Sequence, residues 1–130
     1  MNQEFLNAKS KDELLKTPIN ALGVAIEGSL LEPVITKLQQ ELEAIGIAFR
    51  PQTYLTDSWG CPDNVPMIGI PFYLAHQRLR GIELDKMKVI ETEEEIAQTI
   101  RHEAGHAFNY AFELYKLPRW QEVFGIYTKP

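Results

Sequence analysis

Residues 92–116 read Thr-Glu-Glu-Glu-Ile-Ala-Gln-Thr-Ile-Arg-His-Glu-Ala-Gly-His-Ala-Phe-Asn-Tyr-Ala-Phe-Glu-Leu-Tyr-Lys. Thr92 and Glu95 form a capping-box pair, and Glu93 to Glu95 put negative charge on the positive end of a helix dipole. Ile96, Ile100, Ala104, Ala107 and Ala111 recur at helical spacing and make one apolar stripe. The pattern predicts a helix from Thr92 to about Lys116, stopped by Pro118. Its apolar stripe is expected to bury against a sheet, which leaves the opposite face for other work.

That opposite face carries His102, Glu103 and His106. The chain has 3 histidines, and two of them fall here around a glutamate. Four residues on a helix separate two side chains by about 40° around the axis and ~6 Å along it. Two imidazoles so placed converge on one tetrahedral ion, and the His-Glu-x-x-His pattern has that physical content. Zinc lowers the pKa of its water toward ~7. Glu103 is then the general base that takes the proton and later passes it to the leaving amine. Gly105 interrupts the helix interior, at a cost of roughly 1 kcal/mol relative to alanine. Two readings of it stay open: close approach of another backbone beside the ligands, or packing of the helix on the sheet.

Catalytic zinc needs a third protein ligand. The position six residues after His106 is Phe112, so a third histidine there is absent. Glu113 is ~10 Å along the axis from His106, too far to share its ion. Glu122, beyond Pro118, would have to fold back. Upstream, Asp63 and His76 are candidates, with His76 expected on the surface after a strand. The simplest expectation places the third ligand in sequence that this chain lacks. The chain is then truncated, binds zinc weakly or not at all, and is inactive alone.

Outward from this helix, Ser10 and Glu13 form another capping box, and Thr17-Pro18 ends that helix. Leu22 to Glu27 reads as a short strand or a turn. Gly28-Ser29 opens a helix with Leu30, Val34, Leu38, Leu42 and Ile45 on one side, and Gly46 stops it. Ile47 to Leu55 reads as a strand, Thr56 to Pro66 as a loop, and Met67 to Leu74 as a second strand. His76 to Asp85 is irregular or a short helix, and Lys88 to Glu91 is a brief strand or linker. The tail from Arg119 to Pro130 is partly aromatic and is expected to pack. Pro71 suits a sheet edge, so Ile68 to Leu74 reads either as an edge that accepts an extended substrate or as an ordinary core strand.

The 130 residues fit one domain able to bury a core, with residues 1–20 as an N-terminal extension. Composition is globular, 45% hydrophobic and 24% charged. A net charge of −5 argues against a nucleic-acid partner. One cysteine, no signal peptide and no apolar run of bilayer length suggest a cytoplasmic protein with no membrane role. An aromatic-rich C-terminus raises the prospect of self-association.

Three blocks together resemble a family of bacterial zinc-binding metallopeptidases of gluzincin type. They are Glu27-Gly28-Ser29-Leu30-Leu31-Glu32-Pro33; Trp59-Gly60-Cys61-Pro62-Asp63 with Ile70-Pro71-Phe72-Tyr73-Leu74; and Arg101-His102-Glu103-Ala104-Gly105-His106-Ala107-Phe108 with Trp120 and Phe124-Gly125. The resemblance spans roughly residues 20 to 127. It implies an α+β, zincin-like domain: a small mixed sheet packed on helices, with a long C-terminal active-site helix. It also implies zinc, held by His102 and His106, and hydrolysis of a peptide or protein substrate with Glu103 as base. Members of that family continue into a later acidic helix that resembles the third-ligand element. They often carry Asp where this chain has Asn109, a position from which a carboxylate could orient a ligand histidine. A non-catalytic zincin-like binding protein is the alternative.

Overall fold

A computed structural model describes residues 3–62 and 64–124. Its helices are α1 (Gln3–Ala8), α2 (Lys11–Leu15), α3 (Leu31–Ala44), α4 (Gln77–Met87), α5 (Glu93–Phe112) and α6 (Pro118–Phe124). Two strands, β1 (Gln52–Thr56) and β2 (Met67–Pro71), lie between α3 and α4. The class is α+β. The sheet, expected to be mixed, is a parallel pair in which Gln52 faces Met67 and Thr56 faces Pro71.

Parallel strands need a crossover, and among the described residues of 57–66 no helix forms it. The loop crosses to the far side of β2. There Gly60 N–H donates to the Gly69 carbonyl at 3.2 Å, and Gly69 N–H donates to the Gly60 carbonyl at 2.7 Å. An antiparallel bridge therefore occupies the outer side of β2 at Gly69. Ile68 to Pro71 are buried. The substrate-edge reading of this segment is corrected accordingly: β2 is a core strand whose outer side is taken by its own loop. Gly69 has to be small, because a Cβ there would stand 2.9 Å from Thr56 Cγ2 and 3.1 Å from the Tyr54 hydroxyl.

The main core joins β2 to α3 and α5. Leu31 and Leu38 meet Ile68, Ile70 and Leu74, and Ile96, Ile100, Ala104 and Ala107 close over them. A second cluster of Leu6, Leu14, Leu22 and Leu79 seats the N-terminal helices on α4. The first twenty residues therefore contribute buried side chains.

Several elements differ from expectation. Leu22 to Glu27 forms no strand; a 3-10 turn at Ile19–Ala21 leads into irregular chain. The expected strand over 47–55 shrinks to β1, because Phe49 stacks on Phe108 and Phe112 with ring centroids 5.9 Å apart in both pairs. β2 ends at Pro71, which has no N–H to continue a ladder, and Phe72–Ala75 turn as a 3-10 helix. Ile45, expected on the apolar face of α3, is exposed. Gly46, with φ +84°, ends that helix as expected. Among the described residues no helix is long and apolar enough to cross a membrane.

Candidate metal site on the long helix

α5 begins as its sequence dictates. Thr92 Oγ1 accepts from Glu95 N–H at 3.1 Å, and Glu95 Oε1 accepts from Thr92 N–H at 3.2 Å. Such a cap contributes about 1 kcal/mol. The helix ends at Phe112, four residues short of expectation, because Glu113 turns left-handed with φ +52°. Asn109 is buried, and its Oδ1 accepts from Tyr115 N–H at 2.9 Å. This side chain fastens the turn after the helix. Ala111, expected in the buried stripe, is exposed.

One residue before His102, Arg101 clamps α5 to α3. Its Nε and Nη2 donate to the two carboxylate oxygens of Glu41, at 2.9 and 2.8 Å. The Arg101 guanidinium holds the Glu41 carboxyl below the usual glutamate range. The buried stripe of Ile96, Ile100, Ala104 and Ala107 sets the rotation of α5, and with it the direction of the histidine face; the exposed Arg101–Glu41 pair agrees with it.

His102 and His106 are both exposed on that face, and Glu103 is half-buried beside them. The two Nε2 atoms stand 3.2 Å apart, with the rings edge-on at 81°. A tetrahedral ion with Zn–N bonds of 2.0–2.1 Å spans two nitrogens by about 3.3 Å. The pair thus has the bite of a zinc chelate. Without an ion, the same distance suits one Nε2–H donating to the other ring.

Among the described residues no group of three His, Cys, Asp or Glu side chains stands together. The fit to zinc is therefore a fit of two ligands. Asp63 lies outside the described residues. Glu113 pairs with Lys116 at 3.2 Å and Glu122 with Arg119 at 3.2 Å, each within its own turn. His76 is 6% exposed, where a surface position was expected. It is the N-cap of α4, and its Nδ1 accepts from Arg78 N–H at 3.0 Å. Burial and the Arg78 charge lower its pKa. A histidine used as a cap leaves no periodic signal in sequence, so its burial was not legible there.

The loop over β2 brings one group to this region that sequence did not announce. Cys61 is half-buried, and its thiol donates to the Val65 carbonyl at 3.2 Å. Its pKa is raised, first by burial and then by the charge of Glu103. The thiol therefore stays protonated near neutral pH and is a poor nucleophile.

Gly105 is exposed, and a Cβ there would meet nothing within 4 Å. Neither expected reason for the glycine, backbone approach or sheet packing, is present among the described residues. Gly105→Ala is then expected to stabilise the fold by about 0.5–1 kcal/mol, through helix propensity alone. Urea denaturation of the two proteins measures it, and a destabilised variant would show that something not described here packs against this position.

No family model, no curated protein and no solved structure matches this chain.

Proposed function

We propose that the chain is a zinc-dependent hydrolase domain of zincin type, acting on peptide bonds, with His102 and His106 as metal ligands. The observation that carries this reading is the 3.2 Å separation of the two Nε2 atoms on an exposed helix face. The third ligand of a catalytic site is taken to come from outside the described residues. When bound, the ion supplies a Lewis acid that polarises a carbonyl and acidifies water toward a pKa of about 7. Glu103, adjacent to His102 and on the side of Cys61, is the group that accepts a proton from water and returns it to the leaving amine. Their spacing on the helix sets these three side chains together, and the Arg101–Glu41 pair ties that helix to α3. The resemblance to bacterial zinc-binding metallopeptidases belongs to the same proposal, as does a peptide or protein substrate. The free thiol of Cys61 supports a reducing, cytoplasmic location. Self-association is supported by the exposure of Phe112, Leu117 and Val123.

Glu103→Gln tests the catalytic part. Peptide hydrolysis by the zinc-loaded protein extended to include its third-ligand segment, since the chain is inactive alone, is expected to fall by about 10²–10⁴-fold, the usual worth of a general base, with zinc content unchanged. Hydrolysis that survives the substitution contradicts the role of Glu103. A second reading, a zincin-like fold used for binding without hydrolysis, is favoured by the two-ligand count among the described residues. Zinc retention with no hydrolysis in either protein, when each carries the third-ligand segment, would select it.

A further inference from the structure

We propose that a cavity at the start of α4, remote in sequence from His102 and His106, binds the phosphate group of a small phosphorylated ligand. The cavity has a volume of about 600 Å³ and is lined by Gly28, Ser29, His76, Gln77, Arg78 and Arg80, among others. That volume suits a small molecule and exceeds what a bare ion needs. Among the described residues no Asp or Glu lines it, although the chain as a whole carries a net charge of −5. The composition would by itself place carboxylates beside two arginines. Here both guanidinium groups bond neutral carbonyls instead: Arg78 Nη1 donates to the Asn7 carbonyl at 2.9 Å, and Arg80 Nη2 to the Glu91 carbonyl at 3.2 Å. Among the described residues neither guanidinium is paired with a carboxylate. The carboxylate of Glu32 is held on Gly28 N–H at 3.0 Å.

Arg80 Nη1 is buried and has no hydrogen-bond partner among the described residues. That nitrogen is closed to solvent, and the guanidinium as a whole, half-buried on the cavity wall, carries a charge that no carboxylate among the described residues pairs with. The first turn of α4, an 11-residue helix, adds its positive dipole end and unpaired N–H groups. His76 caps only one of them, on Arg78. Because its Nδ1 is the acceptor, the neutral ring carries its proton on Nε2 as a further donor. Two guanidinium groups, a helix N-terminus and an imidazole N–H make a donor set for a tetrahedral oxyanion.

The test titrates the 130-residue chain with inorganic phosphate and with phosphoserine, against sodium chloride at matched ionic strength, and follows backbone amide chemical shifts. Saturable shifts confined to Gly28, Ser29 and Gln77 to Arg80 are expected with both phosphates and not with chloride. Tighter binding of phosphoserine identifies a phosphorylated ligand, and equal binding identifies free phosphate; either outcome carries the oxyanion site. Arg78→Gln is expected to weaken binding at least tenfold. Gln77→Pro is expected to do the same while keeping the fold, since it occupies the first helical position and His76 before it is extended at φ −147°, ψ 134°. Arg119→Gln, far along the chain, should leave affinity unchanged. Shifts that follow ionic strength alone, or affinities unaltered in both site variants, would overturn the proposal.

Discussion

His102→Ala and His106→Ala each lower zinc affinity by on the order of 100-fold or more, beyond the 10–100-fold that loss of a supporting partner costs. The expectation follows from the number of ligands. With two imidazoles converging at 3.2 Å, removal of either leaves this helix face one nitrogen in place of a chelating pair. Both side chains are exposed, so alanine at either position leaves no cavity and costs the fold little. Zinc loss is then separable from unfolding: the circular dichroism spectrum and the urea midpoint stay near those of the parent. Competition with a chromophoric chelator reads the affinity. A single-histidine variant that holds zinc as tightly as the parent would place the ion elsewhere, and the proposed site with it.

Ile100→Ala has the largest expected effect on the fold, a loss of about 2–5 kcal/mol. Ile100 is 1% exposed and lies where α5 meets β2 and α3. It is also two residues from His102, on the opposite face of the helix. Small domains have about 5–15 kcal/mol of stability in all, so this one truncation removes a large share. Ile45→Ala is the matched comparison, since Ile45 is 71% exposed and its loss should stay within about 0.5 kcal/mol. Urea denaturation of both variants tests the claim that the α5 stripe anchors the histidine face. Equal costs at the two positions would refute it.

α5 was the most legible element, because three independent signals agree there: the cap at Thr92, the stripe from Ile96 to Ala107, and the acidic first turn. The same agreement placed His102, Glu103 and His106 on the face away from the core. Legibility failed where tertiary contacts overrode local propensity. Ile47 and Phe49 are β-formers by type, yet Phe49 leaves the sheet to join the rings of Phe108 and Phe112. The aromatic end of α5 predicts helix to Lys116, but the left-handed turn at Glu113 and its fastening by Asn109 depend on a side chain that reaches Tyr115. Proline at position 71 looked like an edge signal. It instead marks the end of a buried strand whose outer side is closed by Gly60, a contact made by a loop with no periodicity of its own. Cys61 reaches the field of Glu103 through that same loop, and sequence spacing carries no trace of it.

Zinc K-edge X-ray absorption on the zinc-loaded chain tests the central claim most directly. Two imidazole nitrogens from one protein molecule, at about 2.0–2.1 Å from the ion, with one imidazole lost in His102→Ala, is the predicted result. A first shell of oxygen alone, or a spectrum unchanged by His102→Ala, would contradict it.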